Sequence, residues 1–317
     1  MAKIVLGIGT SHSTQCSLTP DWWEEQGKMD PKRTPYEALL SKAPEWMPEQ
    51  LTPEVWQKKY DEIQQSIAKL QDTIKTAAPD VMVIDGDDQD DIFPKDAMPM
   101  LALFWGDEVW DIPGPVENLS PSHRAGRWAI HADEPEAYPV DSGLALHMVK
   151  SLVEEDFDIM QLTKQAEGRS LGHAWTFVKR RLMPEKPIPM VPVLINTYFP
   201  PNQPSAARCY ELGRAIRRAV ESWPEDTRVA VVASGGLSHF VVDEELDDRI
   251  IKGLRNKDAE DLKSIPKDQL QAGNSEILNW ITTAGAVEHL DMELISYTPA
   301  YRTRAGTGCG ITFAKWN

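Results

Sequence analysis

The stretch IVLGIGTSHS, residues 4–13, decides the fold that we expect for this chain. The run from Ile4 to Ile8 is apolar, which is typical of a buried strand. The small and polar residues from Gly9 to Ser13 favour a turn where that strand leaves the sheet. Because ligands in open α/β sheets bind outside the carboxyl ends of strands, His12 is a candidate for a functional site.

A second stretch, VAVVASGGLSH at residues 229–239, repeats this design. An apolar strand over 229–233 runs through Gly235 and Gly236 to His239. Either histidine alone fits an ordinary loop. Two strands that each deliver a histidine through a turn of small residues favour a shared site.

Strands and helices alternate along the rest of the chain, which favours a single α/β domain over 1–317. We expect a central, mostly parallel or mixed sheet flanked by helices. Periodicity and breakers predict strands at 81–85 and 189–196, and helices at 54–77, 142–156, 204–222, 243–255 and 274–286.

A segment at about 18–56 is rich in tryptophan and proline and reads as an insertion. Exposed tryptophans are costly, so we expect its four (Trp22, Trp23, Trp46 and Trp56) to pack against the body or to line a cleft. Two interpretations stay open, namely a cap over the pocket and a packed surface insertion.

The charge balance excludes several classes of partner. With 33 basic and 49 acidic residues the net charge is −16, and no basic stripe offers itself to phosphates, so we expect no nucleic-acid partner. No apolar run approaches the length needed to span a membrane, and we expect no membrane partner. The three scattered cysteines fit a reducing compartment, and we expect a cytoplasmic protein.

Other polar motifs have ordinary explanations. The glycine-rich AGTGCG at 305–310 precedes a terminal strand instead of opening a helix, so a turn or bulge is favoured over phosphate binding. Arg302 and Arg304 would suit a carboxylate, but surface positions are the simpler expectation. A surface role is also the default for four histidines (His123, His131, His147 and His289).

An ordered set of motifs resembles the class III extradiol ring-cleaving dioxygenases, the group of the protocatechuate 4,5-dioxygenase β subunit, over essentially the whole chain. The motifs are GTSHS (9–13), VIDGDDQDDIF (83–93), GHAWTF (172–177), VPVLINTYFPPNQPSAARCYELGRAI (191–216), SGGLSH (234–239) and GNSEILNW (273–280). The resemblance implies a LigB-like fold and O₂-dependent extradiol cleavage of a small, catechol-type aromatic substrate.

The resemblance also assigns roles to four residues. His12 matches the first iron ligand and Glu276 the carboxylate ligand, although Glu276 alone would read as a charge in the first turn of a helix. His239 matches the histidine that acts as acid and base, and His173 a further histidine near the substrate hydroxyls. The implied cofactor is Fe(II), with Mn(II) as an alternative, and we expect a homo-oligomer.

One position departs from the family pattern. The second iron-binding histidine of the family falls in residues 86–91, where this chain has no histidine. Gln89 occupies the ligand position by alignment to Phe93, with Asp90 adjacent. Because the ligand is replaced, two alternatives stay open: a hydrolase or lyase on the same scaffold, and a non-catalytic binding protein of the Memo type.

Overall fold

The computed structural model describes residues 1–117 and 119–317. Its strands are Lys3–Thr10 (β1), Val81–Asp87 (β2), Leu101–Phe104 (β3), Glu108–Asp111 (β4), Glu136–Pro139 (β5), Met160–Leu162 (β6), Met190–Ile195 (β7), Arg228–Ser234 (β8), His239–Val241 (β9), Met292–Tyr301 (β10) and Thr307–Trp316 (β11).

Ten α-helices alternate with these strands in the described part of the chain. They are Trp23–Gly27 (α1), Tyr36–Leu40 (α2), Pro53–Ala77 (α3), Pro121–Gly126 (α4), Ser142–Glu154 (α5), His173–Phe177 (α6), Ala206–Glu221 (α7), Glu244–Asn256 (α8), Ala259–Ser264 (α9) and Ile277–Ala286 (α10).

The main sheet has the strand order β10-β11-β1-β8-β2-β7-β3-β6, and β9 pairs with β11. Four neighbouring strands at its centre, β1, β8, β2 and β7, run parallel to one another. Strands β11 and β10 extend the sheet antiparallel on one side, and β3 is antiparallel to β7 on the other. The expected α/β fold with a mixed, mostly parallel central sheet is confirmed.

The carboxyl ends of the four parallel strands therefore meet at one edge. Each of these strands is buried along almost its whole length, as the continuous apolar runs predict. Helix α10 packs close to α7 because Gly213 lets the backbones approach, and a Cβ there would lie 1.8 Å from the carbonyl oxygen of Thr282. This packing brings the start of α10 to the same edge.

Most predicted elements lie where the sequence placed them. Helix α3 begins at Pro53, capped by the side chain of Thr52, and ends in the left-handed residue Ala78, which agrees with the prediction for 54–77. The helix predicted for 274–286 begins instead with a 3₁₀ turn over Ala272–Glu276. Within 1–117 and 119–317, no helix has the length and apolarity needed to cross a bilayer.

The segment 18–56 both packs and reaches the site. Trp23 and Trp56 are buried in the core, with ring centroids 6.1 Å apart, whereas Trp46 stays exposed. Gln26 and Arg33 of the same segment line the cavity described below. The two interpretations left open by the sequence therefore describe different residues of one segment.

Arg302 ties this segment to the end of β10, and the surface position expected for it is wrong. Its guanidinium is buried and donates to both carboxylate oxygens of Asp30 at 2.8 and 2.9 Å and to Gln15 at 2.8 Å. Thr307 donates to the same carboxylate at 2.6 Å. Arg304, by contrast, is exposed as expected.

We expect Asp30→Ala to destabilise the protein by about 3–5 kcal/mol, because it leaves the Arg302 guanidinium buried without its counter-ion. Urea unfolding of the purified variant measures this change. The control is Lys69→Met, which removes an exposed ion pair with Glu293 and should cost under about 1 kcal/mol. Equal losses in the two variants would contradict a structural role for the buried pair.

Candidate metal centre

The carboxyl edge of the parallel strands gathers the polar side chains of the site. His12 follows β1, Asp87 ends β2, Tyr198 follows β7 and His239 follows β8. Glu276 is the last residue of the 3₁₀ turn before α10. His12, Asp87, His239 and Glu276 are buried, and Tyr198 is half-buried.

Alternate residues of strand β2 and of the loop after it form side-chain hydrogen bonds with helix α10 and the 3₁₀ turn before it. Every second residue of the strand faces a residue three or four positions further back along the helix, which matches the two periodicities. The pairs are Asp85–Thr283 at 2.8 Å, Asp87–Asn279 at 3.2 Å and Gln89–Glu276 at 3.4 Å. This pairing directs the Asp87 carboxylate towards Glu276.

The imidazole of His12 is held in one orientation. Ser234 gives its only hydroxyl proton to the carbonyl oxygen of Ala174 at 2.5 Å, so its oxygen accepts from Nδ1–H of His12 at 3.1 Å. Nε2 then points at Glu276, 3.2 Å from Oε2. This buried Nε2 makes no well-aligned hydrogen bond to any residue that the structure describes.

Glu276 is fixed through both carboxylate oxygens. Oε1 faces Nε2 of His239 at 3.0 Å and accepts from the Tyr198 hydroxyl at 3.0 Å. Oε2 accepts from the backbone N–H of Gly236 at 2.8 Å and faces His12. The oxygen that faces His12 therefore retains room for a further partner.

His12, Asp87 and Glu276 together form a group that could hold a metal ion. One donor atom from each lies within 4.8 Å of the other two, so that small side-chain shifts would bring all three to bonds of about 2 Å from a common centre. Burial and the negative charge of Glu276 raise the pKa of Asp87 to about 7. A bound cation would remove this repulsion, since it favours the ionised carboxylate.

The charges of the neighbouring histidines follow from their surroundings. Burial opposes the ionisation of Glu276, but His239 and His12 outweigh it and hold the pKa of Glu276 well below its usual value. Burial likewise disfavours charge on His239, yet Cys309 and Glu276 raise the pKa of His239 well above 6.5. In His173, burial and the charge of His12 lower the pKa to about 3, so that imidazole is neutral.

His239 and His173, which the family resemblance assigned to the site, both line its cavity. Nδ1 of His239 donates to the carbonyl oxygen of Leu237 at 2.9 Å, which leaves Nε2 towards Glu276. A Cβ on Gly273 would lie 2.4 Å from the His239 ring, so only glycine allows this approach. The ring of His173 meets that of His12 edge-on, with centroids 4.6 Å apart.

Gln89 and Asp90, the two candidates for the position of the missing histidine ligand, lie in different surroundings in the structure. Gln89 lies at the site, where its amide nitrogen donates to Asp87 at 2.9 Å and to Glu276 at 3.4 Å. Asp90 is more exposed and pairs with Arg169 at 3.0 Å, so its carboxylate is not available to the buried group. A ligand role for Gln89 stays a prediction, and Asp87 offers the nearer charged oxygen.

A cavity of about 350 Å³ opens beside His12 and Glu276, within the range of small-ligand pockets, and Asp87 is not among the residues that line it. Its lining comprises His12, Ser13, Thr14, Gln26, Arg33, Gln89, His123, Ile130, His173, Tyr198, His239, Phe240, Glu276, Arg302 and Cys309. The surface role expected for His123 is therefore wrong, since its ring forms part of this wall. The other three histidines for which we expected a surface role, His131, His147 and His289, do not line the cavity.

Asp87 and Tyr198 are the site residues that sequence reasoning missed. The strand was predicted to end at Asp85, whereas β2 continues to Asp87 and carries the alternation of side chains two residues further. A signal was present, because Asp85, Asp87 and Gln89 alternate in one stretch. Tyr198 follows a predicted strand at the same edge, and its position after that strand could have marked it.

A family model matches most of the chain. Residues 38–311 match the family described as the catalytic LigB subunit of aromatic ring-opening dioxygenase. Asp87, His173, His239 and Glu276 lie inside the matched residues, and His12 precedes them.

Two individual proteins are also similar. Over 103 residues the chain is 38% identical to gallate dioxygenase of Pseudomonas putida. The aligned residues make up 32% of this chain and 29% of that relative, so the chain covers under a third of the relative's length. An uncharacterized protein of Escherichia coli K12 aligns in structure over 78% of this chain and 91% of its own, with 15% identity and a TM-score of 0.46. Since the family match covers most of the sequence, the chain belongs to the LigB family of aromatic ring-opening dioxygenase subunits.

Proposed function

We propose that this chain catalyses the extradiol cleavage of a catechol-type aromatic compound by O₂ with a non-haem metal, Fe(II) or alternatively Mn(II). The observation that carries the proposal is the convergence of His12, Asp87 and Glu276 beneath a cavity, in a chain of the LigB family. Bound metal would supply Lewis acidity towards the two substrate hydroxyls and the redox capacity that O₂ requires.

The donors fit such a metal, with one difference from the usual set. Fe(II) oxygenases use two histidines and one carboxylate, whereas Asp87 here takes the place of one imidazole. Burial disfavours charge on His12, but Glu276 raises the pKa of His12, so a bound metal would displace the Nε2 proton. Orientation of the ring through Nδ1 by Ser234 is the arrangement that metal-binding histidines adopt. The extra carboxylate adds negative charge and favours harder ions, so Mn(II) is a fitting alternative to Fe(II).

His239 moves the proton in this proposal. Its Nε2 faces the site, and its Nδ1–H is held by Leu237, so the ring is fixed for transfer at Nε2. Cys309 and Glu276 favour the charged form of His239, and a cation bound at Glu276 would lower the pKa of His239. The neutral Nε2 would then take a proton from a substrate hydroxyl and later return it. His173 stays neutral and hydrogen-bonds the substrate beside His12.

The cavity wall indicates how the ring is held. Ile130 and Phe240 offer apolar surface to an aromatic ring, and Arg33 lies over the Phe240 ring with its guanidinium 5.7 Å from the centroid. Arg33 and Gln26 belong to the segment 18–56, so this segment excludes water from one side of the cavity. The similarity to a gallate dioxygenase supports a hydroxylated monocyclic substrate.

The test measures metal per chain and oxygen uptake on a panel of catechols, with the purified protein loaded with Fe(II) or Mn(II). We expect one metal ion per chain and catechol-dependent uptake of O₂, with a ring-opened product identified by mass spectrometry. Metal binding without uptake would contradict ring cleavage and favour the hydrolase or lyase alternative. Absence of both metal and uptake would favour a binding protein of the Memo type.

A further inference from the structure

The hydroxyl of Tyr198 contacts a carboxylate of the proposed metal centre. It donates to Oε1 of Glu276 at 3.0 Å, while Oε2 of the same carboxylate faces Nε2 of His12 at 3.2 Å. Each oxygen of Glu276 thus has a separate task. A donor on Oε1 leaves Oε2, which also accepts from the backbone N–H of Gly236 at 2.8 Å, as the oxygen that faces His12.

The loop that carries Tyr198 is fixed by its own hydrogen bonds. Asn196, directly after β7, accepts from the backbone N–H of Phe199 at 2.9 Å and donates to its carbonyl oxygen at 2.7 Å. The same amide donates to Asn202 at 2.8 Å, and Asn202 donates to Met98 at 3.0 Å. The loop therefore presents Tyr198 in one place without help from a ligand.

The other donors to Oε1 do not replace this contact. His239 also faces Oε1 at 3.0 Å, but under the proposed function its Nε2 must exchange a proton with the substrate. Gln89 approaches Oε1 only at 3.4 Å and donates at 2.9 Å to Asp87. When Nε2 of His239 hydrogen-bonds the substrate instead, Tyr198 is the close donor that remains on Oε1 of Glu276, while the N–H of Gly236 remains on Oε2.

We propose that Tyr198 is a positioning residue of the metal centre, which orients Glu276 through Oε1 so that Oε2 binds the metal. This inference rests on the proposed function, because it takes His12, Asp87 and Glu276 as the metal ligands. Hydrogen-bond partners that orient metal ligands contribute to affinity, and their loss typically weakens binding about 10–100-fold.

The experiment titrates the metal-free full chain with Co(II) and with Mn(II), comparing wild type with Tyr198→Phe. We expect the variant to bind both ions roughly 10–100-fold more weakly and to change the visible spectrum of the Co(II) form, since Glu276 loses its fixed orientation. The matched control is Tyr210→Phe, which removes a tyrosine–glutamate hydrogen bond of 2.8 Å to Glu288, outside the cavity lining.

The outcomes separate this inference from the proposed function. The inference is supported if wild type binds Co(II) and Mn(II), Tyr198→Phe binds them more weakly and Tyr210→Phe binds them with wild-type affinity. Equal affinities and identical Co(II) spectra in wild type and Tyr198→Phe overturn the positioning role and leave the metal centre intact. Wild type that binds neither ion overturns both. A thermal unfolding midpoint of metal-free Tyr198→Phe that falls below assay temperature would assign the tyrosine a structural role and also overturn the inference.

Discussion

Asp87→Asn is expected to weaken metal binding by more than roughly 100-fold, beyond the effect of losing a hydrogen-bond partner of a ligand. The substitution keeps the size of the side chain but removes the negative charge that a divalent ion requires from this oxygen. His12 and Glu276 alone then offer one imidazole and one carboxylate. Titration of the metal-free variant with Fe(II) and Mn(II) measures the change, and oxygen uptake should fall with it.

Asp85→Asn is the matched control, because it makes the same change on the same strand two residues earlier. The Asp85 carboxylate accepts a hydrogen bond from the Thr283 hydroxyl at 2.8 Å, and Asp85 is not part of the group His12, Asp87 and Glu276 that could hold a metal. Burial raises the pKa of Asp85 to about 8, so an uncharged amide replaces a carboxyl that is mostly neutral at pH 7. Unchanged metal affinity in Asp87→Asn would contradict a ligand role for Asp87.

The same titration on Gln89→His decides whether Gln89 is itself a ligand. If the Gln89 amide holds the metal, an imidazole at this position should raise the affinity for Fe(II), since imidazole is the better donor. If Gln89 only bridges the carboxylates of Asp87 and Glu276, as its amide does in the structure, the affinity should not rise.

His239→Gln is expected to reduce turnover by roughly 10²–10⁴-fold at saturating metal, because it removes the group that exchanges a proton with the substrate. Glutamine retains an N–H donor that can reach the Oε1 oxygen of Glu276, now 3.0 Å from the His239 ring. The metal content of the variant should therefore stay at the wild-type level. Steady-state oxygen uptake and metal analysis of the same preparation measure both quantities.

His147→Gln is the control for this measurement, since His147 contacts Ser222 at 2.8 Å and does not line the cavity. Its turnover should equal that of wild type. Loss of bound metal in His239→Gln would show that the histidine is a ligand and that its assignment as acid and base is wrong. Full turnover in that variant would remove His239 from the proposed chemistry altogether.

The sequence predicted where the two histidines at strand ends lie. An apolar run that stops at small residues predicts where a buried strand ends, and this places His12 and His239 at one edge of a parallel sheet. Glu276 was different, because a glutamate before an apolar helix is ordinary. Only the resemblance to a family singled it out, and the structure shows it buried with a hydrogen bond on each carboxylate oxygen.

The replaced ligand shows the limit of alignment. Counting residues back from Phe93 selects Gln89 and its neighbour Asp90, but distance along a loop does not give the direction of a side chain. Asp90 turns outward to Arg169, whereas Asp87, two residues before Gln89, points inward at the end of β2. The length of β2 depends on pairing with β7, which reaches Asp87, and in the sequence only the alternation of Asp85, Asp87 and Gln89 indicated it.

By itself the sequence determined the α/β fold, its four parallel strands and five longer helices, and the sheet edge at which a site would form, because periodicity and breakers are local properties. Only the tertiary structure decided which carboxylates converge on His12 and that Tyr198 contacts Glu276. It also decided that Arg302 is buried against Asp30. These contacts join residues far apart in the chain, and their geometry depends on how helix α10 and the segment 18–56 pack against the sheet.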